Sequence, residues 1–230
     1  MKTNQFDDLI KFPRLSEEQL QRAKKYQAAI LSDVSGRRGA LHNSIQPLRN
    51  DMKVVGTAFT VETRPGDNLM FHVALALAQP GDVIVVAGHG YGSSALFGEL
   101  MVKQAEAAQI GGFVVDGASR DFDIISHSTM PIFATGRNAA GPTKNIGGKI
   151  CSPISIGNVA VNAGDLVIGD CDGVVIIPRD EVDNILELAA KKVALEAERL
   201  DEIEKGILVS PWLDDALRAA GVISQNESLL

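Results

Sequence analysis

The segment of the chain richest in groups that can do chemistry runs from Gly88 to Asp123 and combines glycines, acids and one arginine. Twenty residues separate Glu99 from the pair Arg120–Asp121, about enough for one helix, a turn and a strand. The two ends of such a unit can lie side by side. A guanidinium and two carboxylates next to free backbone amides suit the binding of a small anion together with a divalent metal.

The pair Arg120–Asp121 gives the sharper signal. It follows the apolar run Phe113–Val115, which predicts a position at the carboxyl end of a buried strand, where ligand sites of α/β proteins lie. The planar fork of an arginine can bind a carboxylate, at ~1.5–3 kcal/mol per charged hydrogen bond. Asp121 can hold Mg²⁺ with few other protein ligands, because that ion keeps most of its waters. The spacing leaves a structural ion pair as the alternative.

The glycine cluster Gly88–Gly92 is predicted to form a loop between a buried strand and a helix. Glycines let the backbone approach a ligand, and the amides at a helix start attract anions. The cluster lacks the third glycine of a dinucleotide fingerprint and the lysine of a P-loop. An ordinary turn with positive φ angles stays the alternative.

The composition is that of a globular protein of 230 residues, with 45% hydrophobic and 22% charged residues. A net charge of −7 without a basic stripe argues against a nucleic-acid partner. Lys24–Lys25, Arg37–Arg38 and Lys191–Lys192 are isolated pairs that we interpret as solvated faces. Cys151 and Cys171 have no metal-ligand or CxxC spacing, which indicates reduced thiols.

No apolar run of the sequence approaches the roughly eighteen residues that cross a bilayer. The N-terminal stretch carries acids and a proline where a signal peptide needs an apolar core. We therefore expect no membrane partner and a cytoplasmic location.

Strand and helix patterns alternate through the first part of the chain, which favours a parallel or mixed sheet with helices on its faces. Ser16 is typical of a helix start. The predicted elements are strands at Val54–Val61, Val83–Ala87, Phe113–Val115 and Pro131–Thr135, with helices at Leu69–Ala78 and within Ser93–Gln109.

After Gly141 the pattern changes to short strands between polar turns, which predicts a meander or a small barrel-like sheet. The run Gly169–Gly173 resembles a calcium loop only superficially, and a tight turn is the better interpretation. Asp180 is predicted to cap a long helix that ends at Gly206. We assign residues 1–230 to one α/β domain, with residues 180–230 at a subunit interface.

Four motifs resemble those of the 4-hydroxy-4-methyl-2-oxoglutarate aldolases, a family of class II pyruvate aldolases whose fold is shared by regulator of ribonuclease activity A. The resemblance covers roughly residues 30–205. The motifs are AxxGELM (Ala95–Met101), VVDGxxRD (Val114–Asp121), GPTK (Gly141–Lys144) and GDxDGVVxxP (Gly169–Pro178). The resemblance implies a layered αββα-type sandwich of the swivelling β/β/α class, with a mixed sheet and a long C-terminal helix. It also implies homotrimers or homohexamers with active sites between subunits.

The resemblance assigns roles to individual residues. It implies that Arg120 binds the pyruvyl group and that Asp121 ligates Mg²⁺ or Mn²⁺ directly. The helix start at Gly98, with the backbone amides of Leu100 and Met101, would bind the substrate carboxylate. Glu99 stands where the family has an acid that holds a catalytic water.

Two further features concern the same resemblance. A glutamate from the neighbouring subunit's C-terminal helix also contributes in the family, and Glu196 or Glu198 is the candidate. Family members have an acid three residues after the metal-binding aspartate, where this chain has Ile124, and Asp123 lies one residue earlier. Loss of an acid that orients metal-bound water typically lowers metal affinity by about 10–100-fold.

The implied activity is a metal-dependent lyase that releases pyruvate from a small 2-oxo acid, as an aldolase, an oxaloacetate decarboxylase or both. A metal that binds the keto and carboxylate oxygens stabilises the pyruvate enolate without a lysine. The alternative is a non-catalytic regulator of ribonuclease activity that acts by binding a protein. Such regulators lack the aspartate after the arginine, so Asp121 favours an enzyme. A methyltransferase is disfavoured because the glycine fingerprint of a methyl-donor site is missing.

Overall fold

A mixed eight-stranded sheet with helices on its faces makes up most of the protein. The computed structural model describes Phe6 and residues 8–229. In that part the helices are α1 (Glu17–Ala23), α2 (Ala28–Val34), α3 (Leu69–Leu77), α4 (Glu99–Ala107), α5 (Phe122–Ile125), α6 (Val182–Glu204) and α7 (Leu213–Ala219). The strands are β1 (Gln46–Pro47), β2 (Val54–Glu62), β3 (Asp82–Phe97), β4 (Gly112–Ser119), β5 (Ile132–Arg137), β6 (Lys149–Ile150), β7 (Ile154–Ile156), β8 (Val159–Val161), β9 (Leu166–Asp170) and β10 (Gly173–Ile177).

The main sheet has the strand order β1-β5-β4-β3-β2-β9-β10, and β6 pairs with β2. Strands β2 to β5 are parallel, and α3, α4 and α5 connect them, as the alternating pattern predicted. Their carboxyl ends therefore meet at one edge of the sheet. The mixed α/β class with a long C-terminal helix is confirmed.

The expectation of a separate meander after Gly141 is wrong for its last two strands. Strands β9 and β10 join the main sheet, and β9 pairs antiparallel with β2. Both faces of β9 are buried, with Leu166 and Ile168 against one group of core residues and Val167 against another. A strand buried on both faces needs neighbours within a large sheet, because an isolated hairpin would expose one face. Only β7 and β8, among the described strands, pair with each other alone.

Two core layers lie on opposite faces of the sheet because side chains alternate along each strand. Phe59 and Val61 of β2 pack on the side of α3 and α4. Ala58 of the same strand faces the hairpin of β7 and β8, where Ile156 is buried. Helix, sheet and hairpin thus form successive layers.

The predicted helix boundaries hold in part. Ser16 caps α1 through a capping box with Gln19, as expected. Asp180 does not cap α6 directly, because residues Arg179–Glu181 first form a 3₁₀ turn. Gly206 ends α6 with a φ of +84°, and its amide donates to the carbonyl of Ile203.

The described chain forms two compact units, one up to Ala189 and one from Ala190 onward. The second unit contains the rest of α6 and α7, and its Trp212 is 64% exposed. The interface expected for residues 180–230 and the single domain over residues 1–230 stay predictions. No helix in the described part of the chain is long and apolar enough to cross a membrane.

A buried ion pair fixes the start of β3. Asp82 is 1% exposed and accepts two hydrogen bonds from the Arg14 guanidinium, at 2.8 and 2.9 Å. A buried carboxylate that loses its partner is left uncompensated, at a cost of several kcal/mol. The pair therefore ties the N-terminal segment to the sheet.

We expect Arg14→Met to lower the free energy of unfolding by about 3 kcal/mol, because it leaves Asp82 buried without its counterion. Urea denaturation measures the change. Arg22→Met is the matched control, because Arg22 pairs with Asp183 at the same 2.8 Å but the Asp183 side chain is 61% exposed; its cost should stay below about 1 kcal/mol. Equal effects of the two substitutions would contradict this account.

Candidate active site

The candidate site lies where β3 and β4 end, at the start of helix α4. Strand β3 is longer than predicted and continues through the glycine cluster to Phe97. The register between β3 and β4 shifts between Val86 and Phe97, and residues 89–93 are exposed, although Tyr91 still pairs with Gly117. The prediction that Gly88–Gly92 form the loop before the helix is therefore wrong. The apolar residues from Ala95 to Phe97 return the chain to the core, and Gly98 precedes the helix.

Gly98 permits the closest contact of the site. The Glu99 backbone amide donates to Asp121 Oδ2 at 3.0 Å. A Cβ atom on residue 98 would lie 2.3 Å from that same oxygen and 2.9 Å from Arg120 Cγ. The amide of Arg120 donates to the carbonyl of Phe97 at 3.0 Å, so the two chain segments run together at this point. Only glycine leaves room for the carboxylate at the helix start.

Asp121 and Arg120 present their charged ends to solvent beside the helix. Asp121 has a φ of +56° and a ψ of +36°, a left-handed conformation that aspartate tolerates better than most residues. Arg120 Nε lies 3.7 Å from Asp121 Oδ2, and the two side chains are 45% and 39% exposed. At this exposure the ion pair adds little stability. Arg120 and Asp121 can therefore separate at little cost and bind a ligand instead.

The first turn of α4 offers backbone donors to an anion. Gly98 provides no side-chain cap. The Glu99 amide is taken by Asp121, whereas the amides of Leu100 and Met101 have no acceptor within the described residues. Unpaired amides at a helix start carry partial positive charge and favour anions.

The helix start and the Arg120–Asp121 pair line one cavity of about 180 Å³. Five of the six predicted site residues line it: Gly98, Leu100, Met101, Arg120 and Asp121. Glu99 is not among the lining residues, although its amide binds Asp121. Ile124 also lies outside the lining and is 46% exposed. The roles of all six residues stay predictions.

Sequence reasoning missed three polar residues that line the same cavity, namely Asn68, His72 and Lys144. Asn68 is 2% exposed, and its amide nitrogen donates to the Leu96 carbonyl at 2.8 Å. Asn68 Oδ1 and His72 Nε2 are buried without a hydrogen-bond partner. Buried polar atoms are normally satisfied, so these two mark a place for a ligand or water.

His72 is held in its neutral form. Burial lowers the pKa of its imidazole, and the nearby charge of Lys144 lowers it further. A neutral imidazole can accept one hydrogen bond and donate another. One signal for this region was available in the sequence, because Asn68 directly precedes the apolar run of α3, a position typical of a helix cap. The shared cavity itself could not be predicted, because Asn68 and His72 lie far from Arg120 in the sequence.

Asp67 positions the segment that carries Lys144. Its Oδ2 accepts hydrogen bonds from the Thr143 hydroxyl and the Asn145 amide, both at 2.7 Å. Burial of this carboxyl acts to raise its pKa, but the hydrogen bonds from Thr143 and the backbone amides outweigh it and lower the pKa. Asp67 therefore stays ionised and holds the GPTK segment over the site.

The donors around Asp121 fit a divalent metal such as Mg²⁺ or Mn²⁺. Asp121 Oδ1 has no hydrogen-bond partner within the described residues, and a hard cation prefers such an oxygen. Within the described chain, a group of three potential metal-binding side chains occurs only at Asp170–Asp172. Asp170 there accepts hydrogen bonds from the amides of Ala28 and Asp172, as in the predicted tight turn. A metal at Asp121 would thus take most of its other ligands from water and substrate.

Known proteins resemble this chain in sequence and in fold. A family model described as "RraA-like: Aldolase/RraA" matches residues 13–176. The chain belongs to this RraA-like family. The match spans β2 to β9 and thus every residue of the candidate site.

Individual relatives carry different names within the RraA-like family. A Halalkalibacterium halodurans protein provisionally named 4-hydroxy-4-methyl-2-oxoglutarate aldolase is 40% identical over 168 residues, covering 73% of this chain and 80% of that protein. An uncharacterised Methanocaldococcus jannaschii protein, MJ0644, is 32% identical over 186 residues, covering 76% and 83%. A solved structure with a similar fold is that of Streptomyces coelicolor RraAS2, described as an unusual member of the RNase ES inhibitor RraA protein family. It superposes with a TM-score of 0.70 at 24% identity, and the match covers 84% of this chain and 98% of that one. This last likeness concerns the fold alone.

Replacing Gly98 with alanine tests the contact at the helix start. We expect Gly98→Ala to weaken Mn²⁺ binding at least about tenfold, because the added Cβ displaces the Asp121 carboxylate. The backbone itself tolerates alanine, since the φ of Gly98 is −160°. Titration followed by electron paramagnetic resonance measures the affinity.

Gly92→Ala is the matched control, because a Cβ atom there meets nothing within 4 Å. It should bind Mn²⁺ like the wild type. An unchanged affinity in a folded Gly98→Ala protein would show that Asp121 does not depend on this glycine.

Proposed function

We propose that this RraA-like protein is a divalent-metal-dependent lyase that breaks a carbon–carbon bond of a 2-oxo acid and releases pyruvate. The observation that carries the proposal is the convergence of Asp121, Arg120 and two free helix amides on one small cavity. The likeness to the Halalkalibacterium halodurans protein provisionally named as an aldolase supports the same chemistry. Oxaloacetate and branched 4-hydroxy-2-oxo diacids are the substrate classes.

The substrate's 1-carboxylate binds at the start of α4. Its oxygens accept hydrogen bonds from the amides of Leu100 and Met101, which have no other acceptor among the described residues. The Arg120 guanidinium adds a charged hydrogen bond to the pyruvyl group. These contacts fix the position of the pyruvyl end of the substrate.

Bond cleavage leaves an electron pair on the pyruvyl unit. In the decarboxylation of oxaloacetate, the C3–C4 bond breaks, carbon dioxide leaves and the electron pair forms the enolate of pyruvate. In the aldol cleavage, the C4 hydroxyl gives its proton to the water that we assign to Glu99, the C3–C4 bond breaks, C4 becomes the carbonyl of the leaving fragment, and the electron pair again forms the enolate of pyruvate. Arg120 and the helix amides stabilise the negative charge as it develops. A divalent ion bound by Asp121 would supply Lewis-acid polarisation of the keto oxygen.

A proton must then reach C3 of the enolate to give pyruvate. Glu99 lies at the first position of α4, next to the amides that bind the carboxylate, and we assign to it the water that carries this proton. Lys144 and the neutral His72 line the same cavity. We assign to them the distal carboxylate of a diacid substrate, because they offer it a charge and a hydrogen-bond donor.

The first experiment removes metal with a chelator, restores Mg²⁺ or Mn²⁺ and follows pyruvate release from oxaloacetate and branched hydroxy-oxo diacids. We expect activity only with metal. Arg120→Met should lower kcat/KM by roughly 10²–10³, as the loss of a preorganised charge donor does. Arg22→Met removes an arginine of α1 that does not line the candidate site, and it should leave kcat/KM unchanged. Metal-loaded protein without activity on the whole panel, or an active Arg120→Met variant, contradicts the proposal.

The second candidate is a non-catalytic regulator, because the description of the matching family names RraA beside aldolase. Binding of ribonuclease E to the purified protein, together with inactivity on the whole panel, would favour this candidate. The free carboxylate oxygen of Asp121 is the feature that a regulator does not need.

A further inference from the structure

A second cavity lies at the opposite edge of the sheet from the candidate active site. It has a volume of about 560 Å³, which is within the range of small-molecule sites. Lys53, Gly111 and Pro131 line it, and these residues directly precede β2, β4 and β5. The candidate active site follows the other end of β4, so the eight residues of that strand separate the two cavities by roughly 25 Å.

Three lysines give this cavity its charge. Lys24, Lys25 and Lys53 line it, and none of them has a carboxylate within 4 Å in the described part of the chain. Elsewhere lysines are commonly paired, for example Lys103 with Glu106. All three lysines are exposed, and they make the cavity positively charged in a chain with a net charge of −7, which favours an anionic ligand.

One carboxylate, that of Asp170, also lines the cavity, but backbone amides already occupy it. Its Oδ2 accepts from the Ala28 amide at 2.9 Å and its Oδ1 from the Asp172 amide at 3.0 Å. Asp170 is buried. It thus stabilises the start of α2 and the β9–β10 turn, and it leaves the three lysines in excess.

Apolar groups form the rest of the lining. Ile168 is buried, and Val55, Pro131 and Tyr26 are partly buried. The Tyr26 hydroxyl has no hydrogen-bond partner within the described residues, so it is free to bind a polar group of a ligand. A cavity with cations on one part of its wall and an aromatic and aliphatic lining on another suits a ligand with a planar body and several negative charges.

We propose that this cavity binds a nucleoside diphosphate or a ligand of the same class, with its phosphates on Lys24, Lys25 and Lys53 and its base against Tyr26 and the apolar residues. Lysines bind phosphate as point charges. Lys24 and Lys25 are exposed, as expected for a solvated pair, and the fold places Lys53 on the same cavity. It does not depend on the lyase activity.

Isothermal titration of the full chain with ADP tests the proposal. We expect saturable binding with a dissociation constant of about 1 mM or lower, weakened when NaCl is raised from about 50 to about 300 mM. Adenosine and inorganic phosphate, tested separately, should each bind at least about tenfold more weakly. Phosphate that binds as tightly as ADP would overturn the assignment of the base, and no saturable binding of ADP would overturn the whole proposal.

The triple variant Lys24→Gln, Lys25→Gln, Lys53→Gln should lose at least about tenfold in ADP affinity. Lys191→Gln, on the second unit, is the control for removal of a lysine and should bind like the wild type. Arg120→Met should also bind ADP like the wild type, because its cavity is a different one. ADP binding that survives in the triple variant, or that is lost in Arg120→Met, overturns the proposal. The single variant Lys53→Gln, with an expected loss of at least about threefold, replaces the triple variant if that protein does not fold.

Discussion

The hydrogen bond from the Glu99 amide to Asp121 Oδ2 is the contact on which the candidate site depends. It joins the start of α4 to the second residue after β4, although the two are distant in sequence. The contact exists because residue 98 lacks a Cβ atom. It brings a carboxylate, a guanidinium and two unpaired amides to one small cavity, so the positive end of the helix and the positive charge of Arg120 act on the same ligand.

The sheet determines where this contact lies. Parallel strands β3 and β4 end at the same edge, and the amide of Arg120 pairs with the carbonyl of Phe97. Phe97 packs edge-on against Phe71 and Phe113, with ring centroids 6.0 and 5.7 Å apart. The apolar core below the site thus holds both chain segments, while the charged groups stay at the surface where a ligand can reach them.

The position of Arg120–Asp121 could be predicted from the sequence because the evidence is local. The apolar run Phe113–Val115 indicates a buried strand, and β4 continues from it to Ser119, so that Arg120–Asp121 lie at its carboxyl end. The register shift in β3 could not be predicted, because a glycine cluster is compatible with a loop as well as with an irregular strand. Asn68 and His72 were missed for another reason: their unpaired atoms become visible only when α3 is packed against α4.

The lysines that line the two cavities could not be assigned to them from the sequence for the same reason. Lys24 and Lys25 are exposed as expected, but their position beside Lys53 could not be predicted, because Lys53 lies far along the chain and only the sheet brings the three together. In the same way, Lys144 reaches the candidate active site because Asp67 binds the segment around Thr143. Local patterns identified elements and charges, whereas the long-range pairing of strands decided which charges share a cavity.

The exchange of the methyl hydrogens of pyruvate in deuterium oxide, followed by nuclear magnetic resonance, tests the central claim most directly. It reports formation of the enolate and does not require the natural substrate. The account predicts exchange by the protein loaded with Mg²⁺ or Mn²⁺, no exchange after chelation, and exchange in Arg120→Met slowed by roughly 10²-fold or more. Metal-loaded protein that exchanges no methyl hydrogens, or exchange that does not change when Arg120 is replaced, would contradict the account.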